Sequence, residues 1–256
     1  DLHRRNYIEQ NRYIGGILMA YFKSFPKTNY SFNGESSVAT NLAAYAEVID
    51  EVRLASSFYQ DYYIINDERP DHVAMKFYND PQLHWVLYLM NPKLREQGWP
   101  MGSSDLVSYV KKEHPNTTLV IRADMTTRLK VGSVIRGFTS EAVGTNIYKD
   151  LNLGQLTVRT DGIFEAAELI EDVESGVVYN DFTVALVVEE HLSAHHYTLN
   201  GERVDINPYE PIPQDVIKTT FLEVYRAEND ELKQIRIVKP KSIGTVVSAF
   251  RKAIKS

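Results

Sequence analysis

The residues best suited to chemistry by type and spacing are three histidines. His191, His195 and His196 lie in the run EEHLSAHH, beside Glu189 and Glu190. Imidazole and carboxylate are zinc ligands, and several of them converging would make a metal centre. The spacing argues against one, because HExxH, which sets two imidazoles a helical turn apart, is absent. On a strand, His195 and His196 would point to opposite faces. The run therefore reads as a polar turn at the edge of a β-rich region. A second candidate is general acid–base work by Glu165 with Glu168, or by Glu171 with Asp172. Two carboxyls do this when held a few ångströms apart in unlike environments. Here they sit in an acidic run that reads as a solvated face. No nucleophile elbow, P-loop or GxGxxG occurs. Cysteine is absent, which removes thiol nucleophiles, zinc–cysteine sites and disulfides. The sequence thus predicts no enzyme, no metal and no cofactor.

Composition narrows the remaining classes. The chain has 256 residues, of which 43% are hydrophobic, enough to bury a sizeable core. Its formal charge of −6 argues against a nucleic-acid binder, which carries a basic excess. No apolar run reaches the roughly 18 residues needed to span a membrane, and no signal-peptide pattern appears. Sixteen tyrosines against two tryptophans fit extensive protein contact, since Tyr is enriched at interfaces. Charge is also segregated. Residues 160–202 hold ten acids and no Lys or Arg, whereas residues 232–256 hold seven Lys or Arg and no acid. Such opposed surfaces steer docking within an assembly.

The elements that would position these residues follow from pattern. Residues 1–20 read as an amphipathic helix. Tyr21–Gly34 reads as an extended arm whose rings Phe22, Phe25, Tyr30 and Phe32 need a cover. Residues 38–58 read as a second helix, with Leu42, Tyr45, Val48, Ile49 and Val52 on one face. Tyr62–Ile65 suits a strand. Pro70 then opens a helix and Asn79–Asp80–Pro81 starts another, with Asp80 as N-cap. The second helix, Leu83–Met90, is apolar nearly all round and must be buried or covered. Asn91–Pro92 ends it, and a loop carries Trp99–Pro100. Ser104–Val110 reads as a short helix capped by Ser103 or Ser104. From Thr118 short alternating runs separated by Gly, Asn and Asp predict a compact β-barrel. Residues 219–240 read as two strands joined at Glu228–Asp230. Ser242 is expected to cap a final amphipathic helix with Ile243, Val246, Val247, Phe250 and Ile254 on one face.

FKSFPKTNYSF (22–32), YYIINDERPDHVAMKFYNDPQLHWVLYLMN (62–91), Trp99–Pro100 and the ending LKQIRIVKP together resemble the baseplate wedge protein 53 family of T-even-like contractile-tailed bacteriophages. The resemblance covers roughly residues 20–115 and 218–256. It implies a LysM-like β-α-α-β core, with Val73–Phe77 where LysM has I-A-x-x-Y/F and Ile235–Pro240 as its last strand. The fold class implied is α+β. N-terminal helices and arm take 1–60, the LysM-like core 61–117, an inserted all-β domain 118–217, and the last strand and helix 218–256.

The same resemblance implies a structural virion component of the tail baseplate that links neighbouring wedges around the central hub, in about six copies, assembled in the host cytoplasm. Its partners would be other wedge proteins, with hub or sheath-initiator proteins as further candidates, and neither nucleic acid nor membrane. At the loop where LysM carries G-D-T this chain has Asp67–Glu68–Arg69, which shifts the expected ligand from glycan to protein. The expected partner-binding residues are Phe22, Phe25, Tyr30, Phe32, Asp67, Glu68, Arg69 and Trp99. The alternative is a peptidoglycan-binding tail protein with a glycan groove between the loops near Asn66–Arg69 and Asn91–Gly98.

Overall fold

A computed structural model describes residues 25–32, 35–41, 57–65 and 67–254. The expected helices at 1–20 and across 42–56 lie outside these residues. The arm does not run as a lone extended segment. β1 (Lys27–Phe32) and β2 (Glu35–Thr40) form an antiparallel hairpin, in register from Lys27↔Thr40 to Phe32↔Glu35. Two residues separate the last pair, and they are Asn33–Gly34, the dipeptide that two-residue hairpins favour. Pairing satisfies backbone groups that a free arm would leave to water. It also corrects the N-terminal limit of the second expected helix, because Val38–Thr40 belong to β2.

The described residues fall into two compact units, one built from residues up to 101 with 229–256, the other from 102–228. In the first, β3 (Tyr59–Tyr63) leads into α1 (Pro70–Tyr78). Proline stands at the first position of α1, where its missing N–H costs nothing. Asn79 ends the helix in left-handed backbone at φ 54°. Asp80 then caps a short 3₁₀ turn (Pro81–His84), its Oδ1 accepting from the Gln82 N–H at 2.9 Å. α2 (Trp85–Met90) buries Val86, Leu87, Leu89 and Met90. The expected loop after Asn91 is instead a third short helix, α3 (Pro92–Gln97), again started by proline.

The second unit opens with α4 (Ser103–Glu113), preceded by Gly102 and without a side-chain cap from either serine. Six strands then close into a barrel: β4 (Thr117–Ile121), β5 (Val134–Gly137), β6 (Val143–Asp150), β7 (Gln155–Thr160), β8 (Leu169–Asp172) and β9 (Val177–Glu189). Their order is β4-β7-β6-β5-β8-β9, with β4 pairing both β7 and β9. Closure removes the open edges that make lone sheets liabilities. The interior is filled by Leu119, Ile121, Met125, Ile135, Leu156, Val158, Ile170, Phe182 and Val184, so the barrel is a packed core.

A smaller sheet follows, with β10 (Ala194–Leu199) between β11 (Glu202–Val204) and β12 (Ile217–Thr220). The next segment was expected to be a strand and is a helix, α5 (Phe221–Leu232). A capping box starts it. Thr220 N–H and Oγ1 donate to Glu223 Oε2 at 2.7 and 2.9 Å, and Glu223 N–H donates back to Thr220 Oγ1 at 3.2 Å. Leu222 is buried against Leu106 and Val110, with Tyr225 packed alongside.

The chain then completes the first unit. β13 (Gln234–Val238) pairs antiparallel with β3, from Gln234↔Tyr63 to Val238↔Tyr59. Ile235 and Ile237 join Ile64, Val73, Leu87 and Leu94 in one core cluster. α6 (Ile243–Ala253) places Val246, Val247, Phe250 and Ile254 against Val86, Leu89, Met90 and Val238 in another. Ser242 precedes this helix without capping it, since a 3₁₀ turn at Pro240–Ser242 already leads in.

Candidate functional site

The histidines do not alternate as a regular strand requires. The ladder between β10 and β12 is irregular between Ala194 and His196, and the two rings come together. His195 Nδ1 lies 2.8 Å from His196 Nδ1, so one imidazole donates and the other accepts. The His195 ring meets Phe221 edge-on at 5.1 Å, and His114 lies against the same ring at 4.4 Å. His114 Nδ1 is 3.4 Å from Glu190 Oε1, while Glu190 Oε2 accepts from the backbone and side chain of Asn116. His191 is buried with Nδ1 3.3 Å from Glu189. No three metal-binding side chains converge among the described residues.

This cluster predicts a pH dependence. Burial lowers the pKa of His195, and His196, Arg203 and His114 lower it further against the attraction of Glu228. Burial also lowers His191, outweighing the pull of Glu189. Both imidazoles bind protons less readily folded than unfolded. Their stability contribution is therefore complete above the ordinary value of 6.5 and is lost as pH falls below it. Thermal unfolding followed from pH 8 down to about 5 is expected to show a falling midpoint, flattened by His195→Gln. An unchanged slope in that variant refutes the assignment.

Of the carboxylates read as a solvated face, Glu165 is exposed, while Glu168, Glu171 and Asp172 are engaged. Glu168 is only 3% exposed, which corrects that reading. Its carboxylate accepts from the Thr139, Ser140 and Glu165 backbone N–H groups at 3.2, 3.0 and 2.6 Å, and from Ser140 Oγ at 2.8 Å. Glu171 holds Arg136 across the β5–β8 ladder, with Nε at 2.8 Å. Asp172 accepts from the Ser175 N–H at 3.0 Å. These three each have a structural partner in place of a second carboxyl.

In the first unit the loop after β3 turns inward at its centre. Tyr62 Oη donates to Glu68, and Lys76 Nζ donates to Tyr62 Oη at 2.8 Å and to Glu68 Oε1 at 2.9 Å. Burial works to raise the Glu68 pKa, but the hydrogen bonds from Tyr62 and Lys76 prevail and lower it. Trp99 Nε1 donates to the Glu68 carbonyl at 2.8 Å, tying the two loops of the expected groove directly together. Asp67 and Arg69 stay exposed, Arg69 paired with Asp71 at 3.2 Å.

The aromatic residues divide likewise. Phe25 is 8% exposed, in the core cluster of α6, with its ring centroid 6.5 Å from that of Phe250. Tyr30 is exposed on β1, Phe32 is the last residue of that strand, and Phe22 lies outside the described residues. Sequence reading took Asn91 only as a helix stop. Its amide pairs with the peptide of Arg236, accepting from N–H and donating to the carbonyl, both at 2.8 Å, and donates to Leu87 O at 2.7 Å. Beside it a hollow of about 480 Å³ is lined by Asn91, Lys93, Leu94, Glu231, Leu232 and Arg236. Its walls lie too far apart in sequence to be paired by pattern.

What this arrangement offers is surface: a hairpin, an ionic loop and a barrel with a packed interior. Comparison with known proteins agrees with a structural role. No curated protein matches the chain. A family model described as base plate wedge protein 53 matches residues 21–101, the segment that holds the hairpin, β3 and α1 to α3. Over that segment, about a third of its length, the chain is similar to the base plate wedge protein 53 family.

Proposed function

We propose that the chain links neighbouring wedges of a contractile phage tail around the central hub, by protein–protein contacts and without catalysis. The observation that carries this reading is the family match over residues 21–101. The order β3, α1, α2, β13, with the two strands paired antiparallel, supports a LysM-like module within the first unit. Glu68, at the centre of the loop where a LysM module binds glycan, is engaged by Tyr62 and Lys76, which favours protein over glycan as ligand. The exposed hairpin residues Tyr30 and Val38 are the contacts we assign to a neighbour.

The test is assembly. Wedges made in an infection lacking this chain are expected to stay unjoined until the full-length protein is added. Tyr30→Ser with Val38→Ser is expected to reduce joining about tenfold or more while leaving the melting temperature unchanged, since both side chains are exposed. Removal of everything through residue 34 is a poorer test, because it takes Phe25 out of the core. Normal baseplates without the chain would sink this reading, as would saturable binding to purified cell wall with no effect on wedge joining.

A further inference from the structure

The barrel carries an apolar tip at one rim. β5 ends at Gly137, β6 begins at Val143, β7 ends at Thr160 and β8 begins at Leu169, so two loops, 138–142 and 161–168, share that rim. They and the start of β6 present Ile163 at 84% exposure, Phe138 at 61% and Val143 at 50%. Single exposed apolar side chains are ordinary. These three stand on backbone that is held in place. Glu168 joins the loops by accepting from Thr139, Ser140 and Glu165. Phe138 N–H donates to Leu169 O at 2.9 Å, and Thr160 Oγ1 donates to Val143 O at 2.7 Å. A Cβ on Gly162 would stand 3.0 Å from that of Ala142, so the loops abut. Glu141 and Ala167 adopt left-handed backbone at φ 55° and 66°, which disfavours residues with a Cβ.

Within the two loops the charge has one sign. The two loops contain Glu141, Asp161, Glu165 and Glu168 and no Lys or Arg. Arg136, opposite Val143 on the ladder, is bound by Glu171, and Arg159 sits two residues back from Asp161. An acidic rim repels phosphate, so neither nucleic acid nor an anionic membrane suits it. It matches a protein surface with an apolar depression bordered by Lys and Arg.

We propose that this tip, built around Ile163 and Phe138, docks on such a basic-rimmed depression of a neighbouring baseplate protein. The proposal rests on the wedge reading and adds a second attachment, outside the segment that the family model matches. A fixed apolar centre with a charged border loses little order on docking, and the border sets rate and salt dependence.

The probe is wedge complex purified from an infection lacking this chain, mixed with the full-length protein and sedimented at low and high salt. Wild-type protein is expected to co-sediment, less so at high salt. Ile163→Asp and the milder Phe138→Ser are each expected to weaken this about tenfold or more, and Asp161→Lys with Glu165→Lys to weaken it and reduce its salt dependence. Val131→Ser, at the opposite rim, is expected to change nothing. Unchanged melting curves show that the tip variants fold. Tip variants that co-sediment like wild type overturn the proposal and leave the wedge reading standing. Failure of the wild-type protein to co-sediment overturns the wedge reading, and the proposal with it. Tip variants that alter only self-association assign the tip to a second copy of this chain, which also overturns it.

Discussion

Glu168→Ala is expected to destabilise the barrel unit by about 2–4 kcal/mol, read from urea unfolding. The carboxylate is buried and takes hydrogen bonds from three backbone N–H groups and the Ser140 hydroxyl. Hydrogen bonds to a charged acceptor contribute about 1.5–3 kcal/mol each, but they are not additive. Thr139 and Glu165 are exposed residues whose N–H groups regain some water, which keeps the figure below the sum. Glu168→Gln has nearly the same shape and is expected to lose a large part of the same stability. Its amide nitrogen would point a donor at other donors. A coupling experiment isolates the site. A Cβ on Gly137 would lie 2.4 and 2.5 Å from the Glu168 oxygens, so Gly137→Ala is expected to be costly in wild type. In the Glu168→Ala background that cost should fall, leaving the part due to Ser140 Oγ, which lies 2.4 Å from the same Cβ. Additive losses would show that Glu168 does not hold the turn.

The fold was legible where one local signal decided the outcome. Pro70, Asp80–Pro81 and Asn79 fix helix starts and stops through their own backbone limits, and the structure follows them. The alternating runs after Thr118 made a barrel because strand periodicity and turn residues agreed. Misreadings came where a local signal was present but outweighed. Asn33–Gly34 is a hairpin dipeptide, yet the aromatics around it read as an arm. Thr220–x–x–Glu223 is a capping box, yet Phe221, Val224 and Tyr225 read as strand. The site was less legible than the fold. Glu168 looks like any residue of an acidic run, and only the meeting of two loops buries it. Exposure of Ile163 and Phe138 likewise has no sequence mark, because apolar residues in a β-rich segment are expected inside.

Asn91 carries the largest consequence for the first unit, because it joins segments that the chain order separates. Its amide reproduces a strand partner for Arg236, while its third bond fixes the end of α2 at Leu87. Asn91→Ala removes all three bonds and is expected to cost about 2–3 kcal/mol. Asn91→Asp is expected to be at least as damaging. Its carboxylate still accepts from the Arg236 N–H, but it sets a negative oxygen against the Leu87 and Arg236 carbonyls, where donors stood. Hydrogen exchange at the Arg236 amide gives the local readout, with protection falling in both variants while barrel amides such as Leu119 keep theirs. An Asp variant as stable as wild type would remove the amide from this role. The matched segment 21–101 contains neither β13 nor α6, yet Ile235, Ile237, Val246 and Phe250 complete its two cores. The wedge-type segment therefore depends on residues that follow the barrel, and Asn91 is the point where that dependence becomes a specific, removable set of bonds.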